Sequence, residues 1–284
     1  MFIIERKKKE MISYYFAIIY KIFYKDKFKH EDEITIDMNN DPYFVRIAFN
    51  FDEDRNKVND LKVNDDHRIM FLPQMNRKGE EERDVLYISA SSGSGKSYLV
   101  NQFAEVYNIE KENKNKIFFL TSNNHEKDKS LSQDIYNFIN VDEFLDYYSD
   151  DENMKTFIKD GSEFDNSLII FDDIGAINDK DKVKTLWHFI NIILENKRKN
   201  CISICVISHV PTDYKKTSIL IRETKKYIVF PKNLQVNSDR FLKTYLGLSK
   251  SQITFITDLQ NTKWCAVDVG RKLLITQRQI KSLS

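Results

Sequence analysis

Only seven glycines occur in this 284-residue chain, and two of them, Gly93 and Gly95, stand within three residues. They belong to Ala90-Ser91-Ser92-Gly93-Ser94-Gly95-Lys96-Ser97, which follows the apolar run 86–89 and precedes the helix-like stretch 98–107. A strand, a loop whose glycines escape the usual steric limits and a helix opening on Lys-Ser together make a phosphate-binding P-loop. Ser92, Gly93, Ser94, Gly95, Lys96 and Ser97 are the expected nucleotide contacts. Backbone N–H groups curl around phosphates, the helix N-terminus adds partial positive charge, Lys96 reaches the β and γ phosphates, and Ser97 offers a hydroxyl to Mg²⁺. A serine-rich linker matches the same letters but lacks the flanks.

A P-loop needs a second half, an apolar strand ending in a carboxylate. Leu168-Ile169-Ile170-Phe171-Asp172-Asp173 supplies it, 76 residues after Lys96. Asp172 is expected to hold Mg²⁺ through its water shell and Asp173 to orient or deprotonate an attacking water. The run 202–208 is another apolar strand, followed by His209. In an open parallel sheet the ligand sits outside the carboxyl ends of the strands, so Lys96, Asp173 and His209 should share one edge. His209 then reads as a γ-phosphate sensor, with a capping or packing role as the alternative. A strand at 116–121 lies along the chain between the P-loop strand and the acidic strand. Together with the extra carboxylate it points to the additional-strand (RecA/FtsK-like) class of P-loop ATPases. No guanine-reading Asn-Lys-x-Asp motif stands near the fourth or fifth strand, which makes ATP with Mg²⁺ the expected cofactors.

From residue 84 onward, short apolar runs (84–89, 116–121, 167–172, 202–208, 226–230) alternate with helical patterns, the signature of an α/β parallel sheet with helices on both faces. Val183, Leu186, Trp187, Ile190, Ile193 and Leu194 recur on one face of a helix over 182–199. Ser249 and Gln252 form a capping box that opens a helix to about 259. Residues 264–269 and 272–276 make a hairpin turning at Gly270. Before residue 77, the runs 33–37, 44–51 and 68–72 suggest a small β-rich element. The apolar stretch 11–20 reads as a helix packed on the body, with interfacial membrane contact as the alternative, because it is too short to span a bilayer and no cleavage site follows. The expected organisation is therefore an N-terminal extension, 1–76, and an ATPase domain, 77–284.

With 41% hydrophobic and 31% charged residues the chain is neither fibrous nor disordered. A formal charge of +1 confines any nucleic-acid site to a local patch. Cys201, Cys205 and Cys265 are too few for a disulfide framework, which suggests a reducing interior and not secretion.

Residues 83–276 resemble the FtsK/HerA superfamily of DNA-translocating ATPases, and within it the poxvirus-type genome-packaging ATPases of nucleocytoplasmic large DNA viruses. The likeness rests on Arg83-Asp84-Val85-Leu86-Tyr87-Ile88 leading into the P-loop, on Phe171-Asp172-Asp173, and on the run from Ile207-Ser208-His209 to Thr217. It continues through Tyr227-Ile228-Val229-Phe230-Pro231 and Arg240-Phe241-Leu242 to Leu248. Ala90 replaces the usual first glycine, Asp173 stands where many relatives have Glu, and His209 where bacterial members carry Gln. The resemblance implies an ATP-driven motor on double-stranded DNA that packages a viral genome. It also implies a homo-oligomeric ring in which Arg240, with Arg222 in reserve, completes a neighbour's site. Lys215 and Lys216, and Lys127 with Lys129, become candidate contacts to DNA phosphates in a ring pore. Capsid or other virion proteins become possible partners, and the host cytoplasm, at a viral factory, or the virion becomes the place of action. Two competitors remain: another nucleic-acid-dependent ATPase, such as a helicase or replication factor, and a nucleotide-binding assembly protein with little turnover.

Overall fold

The structure, a computed structural model, describes residues 83–110, 116–122, 130–159, 163–209, 214–234, 238–259, 262–270 and 272–283, with the strand segments 14–21, 44–49, 61–62 and 67–71. In chain order the N-terminal part holds β1 (Tyr14–Lys21), β2 (Phe44–Phe49), β3 (Leu61–Lys62) and β4 (His67–Phe71). Then follow β5 (Val85–Ser89), α1 (Lys96–Glu110), β6 (Ile117–Thr121), β7 (Asn137–Asn140), α2 (Val141–Tyr148), α3 (Asp151–Lys159) and β8 (Leu168–Phe171). The remainder is α4 (Lys180–Asn196), β9 (Ser203–Ser208), α5 (Tyr214–Glu223), β10 (Lys226–Val229), α6 (Ser238–Leu246), α7 (Lys250–Thr257), β11 (Cys265–Asp268), β12 (Leu273–Thr276) and β13 (Gln279–Ser282).

The main sheet runs β3-β13-β12-β11-β10-β5-β9-β8-β6-β7. From β10 to β7 every neighbouring pair is parallel, and β11 to β13 with β3 extend the sheet antiparallel. This is the additional-strand order of P-loop ATPases, in which one strand separates the P-loop strand β5 from the acidic strand β8. The separating strand is β9, which ends at His209. The strand at 116–121, expected from chain order to intervene, instead lies beyond β8.

The central parallel strands β5, β6, β8 and β9 are largely apolar because both of their faces are covered. Val85 and Tyr87 of β5 join one core with Ile169 and Phe171 of β8, under α2 to α7. Leu86 and Ile88 join the other with Leu168 and Ile170, under α1, whose Leu99, Val100, Phe103, Ala104 and Tyr107 are buried. On α4 the expected stripe is wider than the sheet needs: Leu186, Ile190, Ile193 and Leu194 are buried, whereas Val183 and Trp187 are only half-buried. Ser249 and Gln252 form the reciprocal capping box of α7.

The stretch 11–20, expected to be helical, is a strand from Tyr14 onward: β1 pairs antiparallel with β2 and β4 in a separate three-stranded sheet. Apart from Ala17, its residues Tyr14-Tyr15-Phe16-Ala17-Ile18-Ile19-Tyr20 are aromatic or β-branched, and so short an apolar run has no periodicity with which to tell helix from strand. The run 33–37 and the expected boundary at 76/77 lie outside the described residues. Besides the two-residue β3, two short strands escape the sequence patterns, β7 with its polar ends and β13, whose one apolar residue is the buried Ile280. The latter turns the expected C-terminal hairpin into a three-stranded meander and carries β3 on its far edge. No helix among the described residues is long and apolar enough to cross a membrane.

Candidate active site

Because β5, β9 and β8 are adjacent and parallel, their carboxyl ends deliver the P-loop, His209 and the Asp172-Asp173 pair side by side. The register pairs Ser89 with Ser208 and Phe171 with Val206. Ala90 N–H donates to the Ser208 carbonyl at 3.2 Å and Asp172 N–H to that of Leu120 at 2.9 Å, so both loops leave the sheet from fixed positions.

Gly93 and Gly95 have φ of +71° and +97°. No neighbour crowds either position, so the backbone angle and not the space excludes a side chain there. Two left-handed turns in three residues fold the loop back on itself and open α1 at Lys96. The first N–H groups of that helix have no carbonyl within it to bond. Ser94 Oγ is buried with no hydrogen-bond partner among the described residues, an orphaned hydroxyl inside the loop. A phosphate group would engage both these N–H groups and this hydroxyl.

Lys96 is 7% exposed. Its Nζ donates to the carbonyls of Ala90 at 3.0 Å and Ser91 at 2.8 Å, and lies 3.4 Å from His209 Nδ1. Burial pulls its pKa below the usual lysine range, and the negative charges of Asp173 and Asp172 oppose that shift. On the other side of the imidazole, His209 Nε2 lies 2.8 Å from Asp173 Oδ1. An ammonium can only donate, so this arrangement makes Nδ1 the acceptor and Nε2–H the donor to Asp173. The histidine thus bridges the P-loop lysine and the second carboxylate. Asp173 itself sits in the left-handed region, φ 50° and ψ 33°, heading a short 3₁₀ turn over Ile174–Ala176. Such a backbone is uncommon outside glycine, though Asp tolerates it better than most residues.

Asp172 and Ser97 are partly exposed at the same edge, with the residue chemistry suited to Mg²⁺. The other expected residues are placed elsewhere. Arg240 is exposed on the first turn of α6, and among the described residues no hydrogen bond or ion pair joins it to Lys96, Asp173 or His209. Arg222 ends α5, which leads into the amino end of β10, away from the site, and pairs with Glu195 and Glu223. Lys127 and Lys129 lie outside the described residues, and Lys215 and Lys216 fall on the first turn of α5.

Two residues of the resembling run Arg83–Ile88 do structural work. The Arg83 guanidinium donates to the carbonyls of Ile193 and Leu194 near the end of α4. Asp84 and Lys226, 1% and 0% exposed, form a buried ion pair at 2.9 Å that ties β5 to β10. Neither the lysine–histidine bridge nor the orphaned Ser94 hydroxyl is visible in the sequence, because each depends on where the fold places distant segments.

The chain matches no protein-family model. Over 196 residues it is 32% identical to uncharacterized protein V3 of Sputnik virophage, covering 68% of this chain and 74% of that protein. Among solved structures it is similar to the genome packaging NTPase B204 from Sulfolobus turreted icosahedral virus 2 in complex with ATPγS, at 16% identity and a TM-score of 0.45 over 71% of this chain and 98% of that one. It is also similar to the pCW3 conjugation coupling protein TcpA with ATPγS, at 14% identity and a TM-score of 0.44 over 71% and 61%.

Proposed function

Because the chain belongs to the same family as protein V3 of Sputnik virophage, and because a P-loop, an Asp-Asp pair and a histidine meet on one edge of its sheet, we propose that it is an ATP-hydrolysing motor that translocates double-stranded DNA and packages a viral genome into its capsid. The observation that carries the hydrolytic part is the bridge from Lys96 through His209 to Asp173. The DNA part is supported by the sequence resemblance of the segments around 207–217 and 240–248 to packaging ATPases. The place of action would be the host cytoplasm, at a viral factory, or the virion.

In this reading Ser92 to Ser97 bind the phosphates, and Ser97 with Asp172 would hold Mg²⁺, which would supply charge neutralisation at the β and γ phosphates. Lys96 leaves its loop carbonyls for the phosphate oxygens, and this frees His209 Nδ1, which takes a proton from solvent so that the imidazolium, balanced by Asp173 at Nε2, donates to a γ-phosphate oxygen. Asp173, oriented through Nε2–H, holds the attacking water and takes up its proton. Lys96 compensates charge on the reacting phosphoryl group, while the Asp173 carboxylate acts on the water and not on the phosphate. Arg240 of a neighbouring copy in a ring completes the compensation.

Triplex displacement tests the translocation directly. A third strand annealed to duplex DNA should be released in an ATP-dependent manner while the duplex stays paired. Separation of the duplex strands would instead mark a helicase, and no displacement despite ATP turnover would refute the motor.

A further inference from the structure

Outside the active site, a cleft of about 720 Å³ opens between α4 and the start of α5. One face of α4 forms its wall, since Lys180, Val183, Lys184, Trp187 and His188 recur at helical spacing, and Lys216 of α5 faces them. Ile177 and Asn178, on the segment leaving Asp173, close one end. The lining carries three lysines and a histidine and no carboxylate. Lys182, on another face of α4, is already tied to Asp142 and Asp146 at 3.0 and 2.9 Å. Among the described residues Lys180 and Lys184 make no ion pair, and both are exposed.

We infer that this cleft is where the chain grips the phosphate backbone of duplex DNA. The inference rests on the motor reading above and assigns it a contact surface. Charge complementarity selects the occupant: a row of cations with no acid among them fits a polyanion. Lysine heads are point charges without the planar fork that reads base edges, so they hold phosphate without reading sequence, as a motor moving along any sequence requires. Half-buried Trp187 and Val183 give the sugar edge an apolar floor. The cleft is also wired to the chemistry. Lys180 lies seven residues after Asp173, and Lys216 seven after His209. The two elements that would hold DNA are therefore those that begin next to the two side chains acting on the γ-phosphate, which gives DNA a short route to the hydrolysis rate.

The test uses the full chain and a fluorescein-labelled 30-base-pair duplex in two unrelated sequences, with anisotropy read between 50 and 200 mM salt. Replacing Lys180, Lys184 and Lys216 together by Ala should lower the slope of log K against log salt by about 2.7, because each lost phosphate contact removes about 0.9. Affinity should fall at least about tenfold at 100 mM salt, equally for both sequences. All three side chains are exposed, so the melting temperature should hold; Lys184→Glu alone gives the same direction of change if the triple variant does not fold. Trp187 supplies an independent readout, since the other tryptophan, Trp264, is buried. Duplex should quench the emission, and Trp187→Phe should abolish that quench. If the wild-type chain binds duplex and the variants bind with unchanged affinity and slope, the cleft assignment is wrong and the motor reading stands. Self-association lost with DNA binding intact would make the cleft a subunit contact instead. A wild-type chain that ignores duplex even at 50 mM salt overturns the motor reading, and this inference with it.

Discussion

Asp173 is held by two constraints, a left-handed backbone at the end of β8 and the 2.8 Å contact to His209, and both fix where its carboxylate stands. Asp173→Asn keeps the shape and removes the basicity. Binding of a fluorescent ATP analogue with Mg²⁺ should persist while phosphate release falls by at least about a hundredfold, the scale of a lost base or water-orienting group. If binding disappears and the rate survives, Asp172 and Asp173 have exchanged roles. At this scale the P-loop and the acidic pair were legible because each is contiguous in the chain and its chemistry is local. The bridge at 3.4 Å between Lys96 and His209 joins residues 113 apart, and only the strand order creates it. Ser94 shows the same limit: its letter says hydroxyl, and only the folded loop shows that hydroxyl buried without a partner.

Among the elements, β5 and β10 are pinned at their amino ends by Asp84 and Lys226, a charged pair fully removed from water. Breaking such a pair leaves one charge buried without compensation, so Lys226→Met should destabilise the fold by about 3–5 kcal/mol in a denaturant titration. Replacing both, as Asp84→Leu with Lys226→Met, should recover most of that loss. Equal destabilisation by the single and double variants would mean that these side chains contribute through packing. The central parallel strands were readable because burial on both faces writes them as unbroken apolar runs. β1 was misread for the opposite reason, an apolar run whose aromatic and β-branched content, not its period, decided its state. β7 went unread because an edge strand needs few apolar residues, and β13, between β12 and the two-residue edge strand β3, because Ile280 is its one apolar residue. The intervening position of β9 is a property of the sheet and not of chain order.

For the whole molecule, the proposal that Arg240, exposed on α6, completes the site of a second copy makes a separate prediction. Arg240→Ala and Lys96→Ala should each lack ATPase activity, while a mixture of the two recovers part of it at interfaces pairing an intact Lys96 with an intact Arg240. An arginine supplied in trans is worth about 10³ to 10⁵ in rate, so the recovery should be well above background. A mixture that stays inactive while both variants assemble would contradict sharing. The most direct measurement of the central claim is simpler: phosphate release from ATP by the purified full chain, with and without duplex DNA, beside Lys96→Ala. Duplex of any sequence should raise the rate several-fold, and Lys96→Ala should reduce it to background under both conditions. A rate that is indifferent to duplex, or that survives the loss of Lys96, would contradict a DNA-driven ATPase working at this P-loop.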